Sequence, residues 1–154
     1  MSTAPPEPQY IIAKTREDGY PVIWSFREAL PAKQVMAELP WLVVIAWAYD
    51  GDDNNRMPPG DVNKQMVSLQ DALEAEVMAA GICEHAFSRT GNNIKELAYY
   101  VRNEEQFLAR LNDALKRHDR YPIEISFSED QGWSQLSRKL EGLRRSREQR
   151  KAQE

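Results

Sequence analysis

The order of the hydrophobic periodicities between residues 41 and 127 constrains the fold of this 154-residue chain most strongly. An unbroken apolar run at 41–49 predicts a strand that is covered on both faces. Apolar residues at spacings of three and four follow, and they predict an amphipathic helix. Two strand-like runs at 82–88 and 94–102, a helix at 103–115 and an alternating strand at 121–127 come next. The segments therefore have the order β-α-β-β-α-β.

This order predicts an α+β fold, and specifically a ferredoxin-like βαββαβ sandwich. Two shorter runs at 11–14 and 20–26 surround Asp18-Gly19 and predict an added N-terminal β-hairpin. A short helix is predicted at 32–39, and a charged C-terminal helix from about residue 133. The predicted organisation is a flexible leader, a single α+β domain and a basic C-terminal helix or tail, at residues 1–9, 10–137 and 138–154.

The first long helix is predicted to have Asp61 as its N-terminal cap and to end at Gly81. Its apolar stripe consists of Val62, Met66, Leu69, Leu73, Val77 and Ala80. The next helix has Asn103 and Gln106 in capping-box positions. It is predicted to bury Phe107, Leu111 and either Ala114 or Leu115.

The two faces of the strand at 41–49 differ in side-chain size. One face carries Trp41, Val43, Ile45, Trp47 and Tyr49, and the other carries Leu42, Val44, Ala46 and Ala48. Because helices pack closely over small residues, we expect the Leu/Val/Ala face to lie under the two long helices. The aromatic face then points away from them and needs a cover. The N-terminal hairpin and the last helix supply this cover, or else a partner does; the chain itself is favoured because both elements are at hand.

Composition narrows the location and the partner class. The N-terminal residues lack the apolar stretch of a signal peptide, and the longest apolar run is too short to span a bilayer. The single cysteine is typical of a reducing compartment, so a cytoplasmic protein is predicted. The net charge is −4, divided into +4 from residue 138 onward and −8 before it. An acidic body disfavours binding to nucleic acid and permits a partner protein with a basic surface. A homo-oligomer stays compatible with the sequence.

Two residue sets have a partial resemblance to metal sites. Cys83 and His85 share a predicted strand face, but a zinc site uses four ligands and no CxxC pair is present. A calcium loop of the EF-hand type matches only in part, because its glycine, its seventh position and its final glutamate are all replaced. The matching positions are Asp50, Asp52, Asn54 and Asp61. We therefore interpret both sets as structural and predict neither a metal nor a cofactor.

The sequence contains no recognisable catalytic constellation. No serine lies in a G-x-S-x-G elbow, and no glycine-rich phosphate loop is present. An acid/base pair cannot be selected from the many carboxylates. The predicted sheet also lacks the basic-glycine-aromatic pattern with which RRM domains bind RNA. No catalytic residue is predicted.

Short motifs in a characteristic order resemble a bacterial family, the domain of unknown function 695. The similarity runs from about residue 20 to residue 136. The motifs are Trp47-Ala48-Tyr49, Met57-Pro58, Thr90-Gly91, Tyr99-Tyr100-Val101, Tyr121-Pro122-Ile123-Glu124, and Asp130 with Trp133. Gln131-Gly132 stand where that family often has proline, and the stretch 91–99 is longer than usual. The resemblance implies no established activity. A fainter likeness, in predicted fold and acidic character, is to the protein inhibitors of ribonuclease E.

Two functional hypotheses follow from these observations. The first is a non-catalytic protein-binding module, such as an inhibitor, an adaptor or a toxin-neutralising protein, with a basic partner. The second is a small-ligand binder or enzyme with a pocket near Trp47, Tyr49 and Tyr99. A concave site with converging polar groups and shifted pKa values would favour the second. The residues predicted to bind are Trp47, Tyr49, Asp52, Asp53, Met57, Arg89, Tyr99 and Trp133.

Overall fold

The computed structural model describes the backbone of residues 8–153 and the side chains of residues 8–146. In this part of the chain, one six-stranded sheet is combined with four α-helices, so the fold is α+β as predicted. Most of the predicted leader at 1–9 lies outside the described residues. The strands are β1 Tyr10–Glu17, β2 Tyr20–Arg27, β3 Trp41–Ala48, β4 Cys83–Gly91, β5 Ile94–Val101 and β6 Ile123–Glu129. The helices are α1 Lys33–Glu38, α2 Gly60–Ala72, α3 Glu104–Ala114 and α4 Ser134–Gln153.

All neighbouring strands are antiparallel, in the order β1-β2-β4-β5-β3-β6. The predicted hairpin is present, and Asp18 and Gly19 at its turn have left-handed φ angles of 52° and 81°. The hairpin was expected to help cover one face of the sheet, and it does not. Instead β2 pairs with β4 and extends the sheet by two strands.

The predicted orientation of β3 is wrong. Its aromatic face lies beneath α2 and α3, where Trp47 is only 3% exposed and packs in the same cluster as Leu73 and Phe107. Both faces of β3 are apolar enough to be buried under the helices. The face with the larger side chains lies there because these side chains fill the wide space between the sheet and two helices. We call this side of the sheet the α2/α3 face.

The opposite side of the sheet, the α4 face, is covered by α4 and the turn that precedes it. Ala86 and Ala98 lie on this side in one cluster with Trp133, Leu136 and Leu140. The expectation that a helix packs over the small side chains of the sheet therefore holds for α4 and not for α2 and α3. The chain itself covers the second face of β3, but this face carries Leu42 and not the tryptophans to which the expectation applied.

The first long helix differs from its prediction at both ends. It begins at Gly60 with Pro59 as its cap residue, so Asp61 lies in the first turn and does not cap it. Past α2, residues Leu73–Val77 form a π-helical turn, and Gly81 ends the segment with a φ of 75°. The predicted stripe is buried or packed against the core, apart from the exposed Ala80.

The second predicted helix is present, with half of its capping box, because the side-chain oxygen of Gln106 has no hydrogen-bond partner among the described residues. Asn103 caps α3 by accepting a hydrogen bond from the backbone nitrogen of Gln106, at 2.8 Å. Phe107, Leu111 and Ala114 are buried, as expected. In the part of the chain that the structure describes, none of the helices has both the length and the apolar content that crossing a membrane requires.

Candidate functional site

A cleft of about 340 Å³ opens on the α2/α3 face, between the end of α2 and strands β1, β2, β4 and β5. Its volume is at the lower end of the range of about 300–1,000 Å³ that is typical of small-molecule sites. Aromatic rings, neutral polar groups and one carboxylate converge on it. The lining residues are Pro8, Tyr10, Ser25, Gln70, Glu74, Met78, His85, Ser88 and Tyr99.

A β-bulge in β4 brings two of the lining residues to the same face. His85 pairs with Tyr99 while Phe87 pairs with Ala98, so the extra residue of β4 is Ala86. Because of this extra residue, His85 and Ser88 both face the cleft although they are three positions apart. Ser88 in turn pairs with Ser25 of β2, which places two hydroxyl groups side by side on the floor.

The imidazole of His85 has a strongly perturbed pKa. Burial and, to a smaller extent, the charge of Arg27 lower its pKa to about 4, although a hydrogen bond with the backbone of Phe87 opposes the shift. The ring is therefore neutral at pH 7. Its Nε2 atom is buried and has no hydrogen-bond partner among the described residues. A buried polar atom without a partner costs about 1–3 kcal/mol, which makes this histidine a poor choice for stability alone.

Two tyrosines flank the imidazole. The ring centroid of His85 lies 5.3 Å from that of Tyr10 and 5.0 Å from that of Tyr99. Burial raises the pKa of both phenols above 10, and the negative charge of Glu74 adds to this increase in each. Both hydroxyl groups are consequently protonated at neutral pH and are able to donate hydrogen bonds.

The π-helical turn forms the wall of the cleft. Leu73 and Val77 anchor the turn in the core, while Glu74 lies at the cleft. Single π-helical turns inside helices occur frequently at functional sites. Here the wider turn places a carboxylate beside an aromatic pocket.

Most of the residues predicted to bind lie elsewhere, and the structure does not bring them together. Tyr99 lines the cleft, whereas Trp47 is buried under the helices against Tyr121, with ring centroids 5.0 Å apart. A second group lies in the loop after β3: Tyr49, Asp52, Asp53 and Met57. In that loop the Tyr49 hydroxyl donates to the backbone oxygen of Arg56 at 2.9 Å, and both aspartates are exposed.

The last two predicted residues lie on the α4 face. Arg89 is buried there and forms an ion pair with Glu17. Trp133 is fully buried, donates from Nε1 to the backbone oxygen of Leu39 at 2.9 Å, and stacks on Tyr100 with ring centroids 4.2 Å apart. These contacts stabilise the fold and leave neither side chain free to bind a ligand.

Sequence reasoning missed the cleft because its residues come from five separate segments. Tyr10, Ser25, Glu74 and Ser88 had no role in the predictions, and His85 was weighed as a metal ligand and interpreted as structural. One signal was available: His85 interrupts an otherwise apolar face of a predicted inner strand. A histidine at such a position requires a partner or a purpose.

Most of the residues that partly resemble metal sites are buried or form hydrogen bonds within their own loop. Among the described residues, no group of three or more histidine, cysteine or acidic side chains is placed to hold an ion. Burial raises the pKa of the Cys83 thiol, so it is protonated. In the acidic loop, Asp50 accepts from the backbone nitrogen of Asp52 at 3.1 Å, and Asn54 donates to two backbone oxygens.

The comparisons with known proteins agree with the resemblance found in the sequence. A model of the family described as "Family of unknown function (DUF695)" matches residues 12–137. No curated protein matches the chain. Three of the motif residues, Tyr100, Asp130 and Trp133, form one hydrogen-bonded and stacked group on the α4 face.

Proposed function

Because the chain belongs to the DUF695 family, whose function is unknown, we propose a function from its own geometry: the protein binds a small polar molecule in the cleft at His85 and Tyr99. This develops the second of the two sequence hypotheses and moves its pocket away from Trp47. The observation that carries the proposal is a cavity of binding-site size beside a buried imidazole whose Nε2 has no partner among the described residues.

The chemistry of the cleft favours binding over catalysis. Among the described residues, no general base forms a hydrogen bond with the serine hydroxyls of the cleft. A neutral histidine with a pKa of about 4 is also a weak proton acceptor. The same groups suit recognition, since hydroxyl, amide and imidazole groups each form directional hydrogen bonds. Apolar surface from Met78 and Pro8 completes a mixed lining of the kind that small-molecule sites have.

A fragment screen by protein-observed NMR tests this proposal. Polar fragments are expected to shift the backbone resonances of His85 and Tyr99 in a saturable way. The variant Ser88→Tyr fills the floor of the cleft and should abolish these shifts. The matched control is Ser126→Tyr, which adds the same side chain at an exposed position of β6 and should leave them intact. Fragments that shift the cleft resonances equally in both variants, or no saturable shift at all, would overturn the proposal.

A protein-binding module with a basic partner stays a second proposal. Two exposed apolar side chains support it: Ile12 on β1 is 62% exposed and Val67 on α2 is 46% exposed. Val67 precedes Gln70 and Glu74 on one helical stripe, so an apolar margin adjoins the cleft. The acidic body would accelerate association with a basic partner, and surface plasmon resonance at two salt concentrations would detect this. An association rate that does not change with salt would contradict the steering.

We also propose that the core is ferredoxin-like. The order β4-β5-β3-β6 and the position of α2 and α3 on one face support this arrangement, with β1 and β2 as additions at one edge. A cytoplasmic location is proposed as well, and the buried, free Cys83 is compatible with it. The likeness to the inhibitors of ribonuclease E stays a prediction.

A further inference from the structure

The cleft has an uneven distribution of charge. Of the described residues that line it, Glu74 alone carries a formal charge at pH 7. No lysine or arginine among the described residues lies within 4.0 Å of the Glu74 carboxylate. The ion pairs in the described part of the chain join other carboxylates. A carboxylate at the wall of a small aromatic cavity favours a positive ligand and repels an anion.

The two cations that act on the cleft residues have polar partners of their own, and neither lines the cleft. Arg27, which acts on His85 and Tyr10, is paired with Glu84 at 3.1 Å. Lys95 also acts on His85, and its ammonium group donates to the hydroxyl of Thr90 at 3.2 Å. Among the charges that act on the pKa of Tyr10, Arg27 has the largest single effect, and Glu84 and Glu74 oppose it. Glu74 is therefore the charged group at the wall of the cleft, and the nearby cations do not line it.

The aromatic groups complete the arrangement. Tyr10 and Tyr99 both pack against His85, and Tyr10 is only half-buried. The faces of aromatic rings attract cations, most strongly where water is excluded. His85 does not oppose such a ligand because it is neutral at pH 7. Met78 and Pro8 add apolar surface against which methyl groups can pack.

Resting on the proposed function, we infer that the ligand of this cleft is an alkylated ammonium group held between the carboxylate of Glu74 and the rings of Tyr10 and His85. The carboxylate supplies the charge and the rings supply a cation–π surface. A free quaternary amine and the methylated side chain of a lysine share this chemistry. A ligand with a carboxylate or phosphate in the same place has no cation among the lining residues to pair with.

Three compounds of the same shape and different charge test this inference. Choline is positive, 3,3-dimethyl-1-butanol is its neutral counterpart, and 3,3-dimethylbutanoate is negative. NMR titrations that follow His85 and Tyr99 should show choline binding about fivefold or more tightly than the alcohol, and no binding of the anion. N-acetyl-trimethyllysine amide forms the second arm, and tighter binding than choline would identify a modified protein side chain as the source.

Variants assign the effect to the cleft. Glu74→Gln should weaken choline about fivefold and leave the alcohol unchanged. Glu76→Gln is the matched control, because Glu76 is exposed on the same π-helical turn and does not line the cleft. Tyr10→Leu should weaken choline as well, provided that its melting temperature shows a folded protein.

The outcomes separate this inference from the proposed function. Equal affinity for choline and the alcohol, or equal effects of the two glutamate variants, would overturn the cation and leave a cleft for neutral ligands. If other fragments bind saturably and choline does not, the cation is likewise overturned and the cleft remains a site for neutral ligands. If the fragment screen finds no ligand in the cleft, both proposals fail together.

Discussion

Adjacent tyrosines of β5 lie on opposite sides of the sheet, and their surroundings differ in kind. On the α4 face, Tyr100 donates from its hydroxyl to Asp130 at 2.7 Å and stacks on Trp133. On the α2/α3 face, Tyr99 lines the cleft beside His85, whose Nε2 has no partner among the described residues. Folded proteins pair nearly all of their buried polar groups. The complete pairing on one side is typical of structural stabilisation, and the incomplete pairing on the other is typical of a site.

Asp130 organises the stable side. Its carboxylate accepts hydrogen bonds from Tyr100, from the hydroxyl and backbone nitrogen of Ser134, and from the backbone nitrogen of Gln135. Burial alone would raise its pKa, but the hydrogen bonds from Ser134, Tyr100 and Gln135 outweigh this effect and hold the pKa below 3.8. The carboxylate thus ties the first turn of α4 to the middle of the sheet.

The largest expected effect concerns this carboxylate. Asp130→Ala leaves several donors without an acceptor and should lower the free energy of unfolding by roughly 3–5 kcal/mol. Urea denaturation at pH 7 measures the change. Glu129→Ala is the control, because it removes the neighbouring but exposed carboxylate and should alter stability by less than about 0.5 kcal/mol. Similar losses in the two variants would remove the contrast between the two faces.

The next prediction concerns the dependence of stability on pH at His85. Its pKa is about 4 in the folded protein and about 6.5 in the unfolded chain, so the unfolded chain binds more protons between these values. The histidine is neutral in both states above pH 6.5, and stability is lost as the pH falls toward 4 because protonation of the buried ring is unfavourable. The difference between wild type and His85→Gln should therefore change by about 3 kcal/mol over this window. Urea titrations between pH 4 and pH 7.5 measure it, and parallel curves would show that the imidazole is not buried in neutral form.

The smallest effect, and the most direct comparison, uses the two tyrosines. Tyr100→Phe removes a hydrogen bond to a charged acceptor and should cost about 1–3 kcal/mol. Tyr99→Phe should cost less than about 0.5 kcal/mol, since no hydrogen bond of its hydroxyl occurs within the described part of the chain. Denaturation of both variants under one condition gives the contrast. A costlier Tyr99→Phe would mean that the cleft side contains a structural hydrogen bond.

Local periodicity was enough to predict most of the elements, because each signal lies within a short stretch of chain. The alternation at Ile123, Ile125 and Phe127 correctly predicts the side of β6 that packs on the core. The cap at Asn103 and the left-handed turn at Asp18-Gly19 are local in the same sense.

The errors arose where the outcome depends on distant segments. Both faces of β3 are apolar, so alternation alone could not determine which face lies under α2 and α3. Asp61 has the right chemistry for a cap, but Pro59 and Gly60 before it begin the helix earlier. The cleft depends on the register of four strands against one helix, and no short motif encodes such a register.

The bulge at Ala86 has a consequence for insertions and deletions in β4. Before the bulge, odd-numbered residues such as His85 face the α2/α3 side of the sheet. After the bulge, even-numbered residues such as Ser88 face that side. Deletion of Ala86 would restore an ordinary alternation and leave His85 and Ser88 two positions apart, so both would stay on the α2/α3 face. A substitution at the same position would keep the count. Sequences in which this strand is one residue shorter at the bulge should therefore keep the histidine and the serine on one face, whereas a strand of the present length without a bulge would place them on opposite faces.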